Sequence, residues 1–157
     1  MEFELGKKLP DWKLESIFGD TVPTLEDFSG KALLIMFFNM GCPGCKGRAL
    51  PFANRIAFEN QDIAVLGIHT RFEGKTYTDE ELKAAKAEFH IRFPYYRDEE
   101  FAQTFTKYVA GGTPHWILID KNGAVDYSIF GSSPNNALLR LDLKIQELAD
   151  NNFLTKK

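Results

Sequence analysis

Ala32-Leu33-Leu34-Ile35-Met36-Phe37-Phe38-Asn39-Met40-Gly41-Cys42-Pro43-Gly44-Cys45 is seven apolar residues in a row, a turn, and then two cysteines three positions apart. They are the only two cysteines in the chain. Such unbroken apolarity suits a strand covered on both faces. A strand that hands a thiol to the first turn of a helix puts Cys42 at the positive end of the helix dipole, where a thiolate is favoured. Cys45 then lies within disulfide reach. The bland alternatives are half of a zinc site and a pair of buried structural cysteines. Structural zinc takes four ligands, usually two such pairs or one pair with two histidines, and this chain has no second pair. A single C-x-x-C beside a strand-turn-helix pattern reads instead as a redox pair.

At 157 residues the chain has the length of one domain, 1–157, and can bury a core without disulfide staples. Fourteen Phe residues supply much of the volume. A formal net charge of −3, with no cluster of Lys and Arg, argues against nucleic acid or an anionic membrane as partner. The longest apolar stretch, 32–38, is far too short to span a bilayer. Met1-Glu2-Phe3-Glu4 is acidic where a signal peptide starts basic. The expected compartment is therefore cytoplasmic if Met1 is native, and periplasmic or otherwise extracytoplasmic if a signal peptide has been removed.

Outward from the cysteines, Leu9-Pro10 to Glu15, the turn Phe18-Gly19-Asp20 and Thr21 to Pro23 are expected to form a small N-terminal hairpin. Arg48 to Glu59 has helical spacing at Leu50, Ala53, Ile56 and Ala57, with Pro51 bending or restarting the helix. Ile63 to Ile68 is a second buried strand, parallel to the first in a βαβ unit. Thr78-Asp79-Glu80-Glu81 matches a capping box and opens a helix to about His90. Glu99 to Tyr108 is helical in pattern and ends at Gly111-Gly112-Thr113-Pro114. Trp116 to Ile119 and Val125 to Phe130 form a hairpin across Asn122-Gly123, whose positive φ angles a tight turn needs. Pro134 begins a last helix to about Asp150, and Asn151 to Lys157 is expected to fray.

The strand, Cys42-Pro43-Gly44-Cys45 at a helix start, and Gly112-Thr113-Pro114 before a hairpin and a closing helix together resemble the thioredoxin-like superfamily. Leu9-Pro10-Asp11-Trp12, Phe28-Ser29-Gly30-Lys31 and the insertion before Phe93-Pro94 resemble its TlpA-like and redoxin (AhpC/TSA-related) branch. The resemblance covers roughly Gly6 to Leu148. It implies an α/β fold with a central mixed sheet flanked by helices, an N-terminal hairpin, and an insertion between the βαβ unit and the C-terminal hairpin. It also implies a thiol-disulfide oxidoreductase, with Cys42 the nucleophile, Cys45 the resolving thiol and Pro114 a cis-proline beside them. The resemblance further implies that Gly41, Pro43, Gly44, Gly112 and Thr113 line the place where substrate docks. The implied partners are a protein or small-molecule disulfide or dithiol and an upstream reductant or oxidant, with no metal and no cofactor besides the Cys42-Cys45 pair.

Several positions depart from the family pattern. Thioredoxins commonly carry Trp just before the first cysteine and a buried Asp six residues before it, where this chain has Gly41 and Met36. Arg48 replaces a Glu common in TlpA-like reductases and is expected to tune the cysteines electrostatically. Pro51 lies six residues after Cys45, where the family's kinking proline lies five. His115, next to Pro114, is a second tuning candidate; His69 reads as structural or rim, and His90 as a helix-end cation. A peroxiredoxin-like peroxidase is one alternative, although Asn39 and Ile35 stand where that family places a peroxide-orienting Thr or Ser and a proline. A Sco-type copper-delivery protein is another, although that family spaces its cysteines with three intervening residues.

Overall fold

The computed structural model describes residues 5–60, 62–71 and 74–155. Along the chain run β1 (Leu14–Glu15), β2 (Ala32–Phe38), α1 (Leu50–Glu59), β3 (Ile63–His69), α2 (Asp79–Glu88), β4 (Tyr95–Asp98), α3 (Gln103–Lys107), β5 (His115–Ile119), β6 (Val125–Phe130) and α4 (Ala137–Thr155). The strands form one mixed sheet in the order β1-β4-β3-β2-β5-β6. β2, β3 and β4 are parallel, while β5 runs antiparallel to β2 and to β6, and β1 antiparallel to β4. All seven residues of β2 are buried, as its unbroken apolarity requires of a central strand.

The two faces of the sheet are covered differently. Leu34, Met36 and Phe38 join Val65, Trp116 and Leu118 beneath α1, α2 and α4, and Cys45 belongs to this layer. Leu33, Ile35 and Phe37 join Leu66, Ile68, Ile117 and Ile119 on the other face. Its cover is Phe105 and Tyr108 at α3, together with Leu9, Trp12, Leu25 and Phe28 of the N-terminal segment. The Trp12 indole N–H donates to the Pro23 carbonyl at 2.8 Å, and its ring meets Phe28 edge-on.

Several expectations are corrected. No N-terminal hairpin forms: β1 pairs with β4, Leu14 opposite Asp98 and Glu15 opposite Arg97, and residues 20–24 take no strand. β4 itself, short, carrying Arg97 and Asp98, and preceded by Pro94, gave no periodic signal. The helix expected over 99–108 shrinks to α3 because Glu100 and Phe101 take positive φ, and the Asp98 carboxylate accepts the Thr104 and Phe105 N–H groups at 2.8 and 2.9 Å. In the β5–β6 turn only Gly123 has positive φ, while Asp120 Oδ1 accepts the N–H groups of Asn122 and Ala124. α4 starts at Ala137 rather than Pro134 and continues past Asp150 to Thr155; residues 156–157 lie outside the described residues. The capping box is present as read, the Thr78 hydroxyl accepting the Glu81 N–H at 3.2 Å and the Glu81 carboxylate accepting the Thr78 N–H at 3.1 Å.

Candidate active site

β2 ends at Phe38, and the next four residues are each tied down. The Asn39 side-chain amide donates to the Thr70 carbonyl at 2.8 Å, and its Oδ1 accepts the Gly41 N–H at 2.7 Å. The Met40 N–H donates to His69 Nε2 at 3.1 Å, and the Cys42 N–H to the Asn39 carbonyl at 3.0 Å. The turn that carries the first thiol is therefore latched to the C-terminal end of β3. His69 is buried against the edges of Phe38 and Tyr77. Burial, and then the nearby Arg97 charge, lowers its pKa to about 4, so near neutrality it is uncharged and can accept the Met40 N–H.

The chain is helical from Pro43, which places Cys42 at the cap and Pro43 at the first helical position, where its missing N–H costs nothing. Cys42 Sγ accepts the Cys45 N–H at 3.3 Å, as a Ser or Asp oxygen does at a helix N-cap. The Cys45 and Lys46 N–H groups also donate to the Cys42 carbonyl, at 3.1 and 3.2 Å, so the first helical turn closes on Cys42. Cys42 is half-buried and reaches the groove, whereas Cys45 is fully buried. Burial, reinforced by the side-chain hydrogen bond with Cys42, holds the Cys45 thiol far above its ordinary pKa. Cys45–Ala49 then form a π turn closed by the Leu50 N–H on the Cys45 carbonyl. A π turn takes in one residue more than an α turn. It absorbs the extra residue between Cys45 and Pro51 and sets Pro51 within the first two positions of α1.

Opposite the cysteines lies the segment Gly111–Pro114, whose Thr113–Pro114 peptide is cis. The Cys42 thiol donates to the Thr113 carbonyl at 3.4 Å. The Thr113 N–H donates to no group among the described residues. The Pro114 carbonyl accepts the Gly131 N–H at 2.8 Å, fixing this segment to the end of β6. A groove of about 540 Å³ opens here, with Gly41, Cys42 and Gly112 in its lining and Tyr77 and Phe130 as its aromatic walls. Glycine leaves room where the walls press in. A Cβ on Gly112 would lie 2.5 Å from the Phe130 ring, one on Gly44 2.5 Å from Ser132 Oγ, and one on Gly41 3.0 Å from Tyr77 Oη.

Cys42, Cys45, Gly41, Gly44, Gly112, Thr113 and Pro114 thus converge, with Pro43 exposed on the rim. Two tuning candidates do not join them. Arg48 is exposed and makes no ion pair or hydrogen bond among the described residues; the groups acting on Cys45 are Cys42, Asn39 and Thr113. His115 shares the face of Ile117 and Ile119, opposite the layer that holds Cys45. Its Nδ1 accepts the Gly111 N–H at 3.1 Å and its Nε2 meets Ser128 Oγ at 2.8 Å, so it braces the Gly111–Pro114 segment from behind. Burial lowers its pKa to about 4. Met36 is fully buried in the cysteine layer, where the pattern of thioredoxin has a carboxylate.

Asn39, at the position of a peroxide-orienting hydroxyl, spends its amide on Thr70 and Gly41. Among the described residues no group of three or more His, Cys, Asp or Glu is arranged to hold a metal ion. Sequence reading missed Asn39, Phe130 and Ser132 as site residues. Their only sequence signal is position at strand and loop ends, which side-chain periodicity does not resolve. Among the described residues no helix is long and apolar enough to cross a membrane.

The AhpC/TSA family profile matches residues 5–128. A thioredoxin-like superfamily protein of known structure is 36% identical, with 90% of this chain and 96% of that chain covered at a TM-score of 0.77. A thiol-disulfide isomerase from Corynebacterium glutamicum is 29% identical over 92% of this chain and 96% of its own, at a TM-score of 0.74. A protein assigned as the thiol:disulfide interchange protein DsbE of Chlorobium tepidum, 22% identical over 94% and 99%, shares the fold at a TM-score of 0.79. No curated protein matches the sequence. The chain belongs to the AhpC/TSA family and is a redoxin with the thioredoxin-like fold.

Proposed function

We propose that the protein is a thiol-disulfide oxidoreductase working through Cys42 and Cys45. The observation that carries this reading is the asymmetry of the pair: Cys42 caps a helix and opens on a groove, while Cys45 is fully buried behind it. The Cys42 thiolate attacks one sulfur of a substrate disulfide, and the other leaves as a thiolate that takes up a proton. Cys45 then loses its proton, attacks Cys42 Sγ and expels the second substrate thiolate. Two electrons pass to the substrate, and the protein is left with a Cys42-Cys45 disulfide for an upstream reductant to reopen. The same steps in reverse oxidise a substrate dithiol. No cofactor enters the scheme.

The Thr113 N–H, unpaired beside Cys42, supports a substrate bound as an extended main chain whose carbonyl accepts it, much as a sheet edge accepts a strand. Cys45→Ser tests the scheme. The variant removes the resolving thiol, so mixed disulfides through Cys42 should accumulate and be seen as mass adducts. Absence of any adduct with protein or small-molecule disulfides, while Cys42 still alkylates, would end the proposal.

A further inference from the structure

Phe130 is a large apolar side chain left 54% exposed, yet it stands in the groove with Cys42 and Thr113 rather than on open surface. Its ring is seated against backbone. Phe130 Cε1 lies 2.5 Å from where a Cβ on Gly112 would stand, so the ring occupies the space that glycine leaves open, and Phe130 Cβ lies at ordinary contact distance, 3.8 Å, from where a Cβ on Gly111 would stand. The end of β6 is pinned as well, since Phe130 pairs with His115 and the following Gly131 N–H reaches the Pro114 carbonyl. An exposed ring held in place in a reaction groove offers apolar area that water covers until a ligand replaces it.

We propose that Phe130 is a specificity-determining residue, selecting substrates that are extended protein segments with a large apolar side chain two residues from the reacting cysteine. The inference rests on the oxidoreductase reading above and adds the class of substrate. The spacing follows from strand geometry. In an extended chain side chains two apart share a face, about 6.6 Å along the strand, while the immediate neighbours point away. A segment whose carbonyl accepts the Thr113 N–H and whose cysteine sulfur meets Cys42 therefore presents its second neighbour to the ring packed on Gly112. Burial of a Leu-sized side chain against the ring should raise kcat/KM about tenfold over Ser.

The experiment is a panel of disulfide-bonded peptides differing only at the positions two before and two after the cysteine, carrying Leu, Phe, Ser or Glu. Wild-type protein should prefer Leu and Phe on one side by about tenfold. In Phe130→Ser the Leu-to-Ser ratio should fall below about twofold, and in Phe130→Leu it should persist. The ratio is taken within each protein, so a general loss of activity or folding cancels. A ratio unchanged in Phe130→Ser, or a wild type that exchanges with a small symmetric disulfide but shows no preference among peptides, overturns the inference alone. A wild type that exchanges with neither overturns the oxidoreductase reading beneath it.

Discussion

Cys42 and Cys45 carry the same functional group into opposite surroundings, and the two buried histidines show how the frame around them is kept neutral. His69 takes the Met40 N–H of the turn bearing the first thiol, and His115 takes the Gly111 N–H of the segment facing it. Both have folded pKa values lowered from 6.5 to about 4. A depressed folded value means that the unfolded chain binds protons first. The stability each supplies is thus present above pH 6.5 and is lost as pH falls toward 4. Between pH 6.5 and 5, above the range where ordinary carboxylates titrate, the loss should be about 1.5 kcal/mol per histidine. Urea unfolding at the two pH values measures it, and His69→Gln and His115→Gln should each flatten the slope. A variant whose slope matches the wild type would show that its histidine takes up protons as readily in the folded protein as in the unfolded one. Sequence could suggest His115 as a neighbour of the cysteines because it follows Pro114. Alternation along β5 sends it to the other face, and that face is set by the register with β2, Phe37 opposite His115, which one strand read alone does not contain.

The elements that were legible are those with strong local signals. β2 is where seven apolar residues place it, and the capping box opens α2 where Thr78 and Glu81 predict. The joint between β4 and α3 was not legible, because a single side chain reaching six and seven residues forward decides it. Asp98, 1% exposed, accepts the Thr104 and Phe105 N–H groups and the Thr70 hydroxyl at 3.1 Å. No periodic pattern encodes that. Asp98→Ala would remove the buried acceptor shared by the Thr104 and Phe105 N–H groups and the Thr70 hydroxyl and should cost about 2–4 kcal/mol in urea unfolding. A cost below about 1 kcal/mol would mean that water or a shifted main chain satisfies them. The π turn is a similar case. Its trace in sequence is the six-residue gap from Cys45 to Pro51, intelligible once Leu50 is seen to donate to Cys45. The groove wall Phe130 was invisible for the same reason, being brought to Cys42 by the last strand.

At the scale of the whole molecule the sheet is covered unequally, and this assigns a task to the N-terminal segment. One face carries α1, α2 and α4 and holds the cysteines, while among the described residues the other is covered by the short α3 and the chain before β2. Leu9 and Trp12, each 7% exposed, therefore do on that face what a helix does on the first. The expected hairpin would have given these residues a sheet of their own. Instead the segment lies on Leu33, Ile35, Ile117 and Ile119, held by the Gly6 N–H on the Val125 carbonyl and the Val125 N–H on the Lys7 carbonyl, at 2.8 and 2.9 Å. Trp12→Ala removes a buried ring and its bond to Pro23 and should cost about 3–5 kcal/mol. Deleting residues 1–13 should abolish the cooperative thermal transition seen by near-ultraviolet circular dichroism, because the apolar face of β2 and β5 would then meet water. Trp12→Ala should leave Cys42 exchange per folded molecule unchanged below its melting temperature, since the cysteines lie in the opposite layer. A truncated protein that melts like the parent would show that α3 alone seals the second face, and a Trp12→Ala protein that is folded but slow in exchange would show that the two layers are coupled through β2.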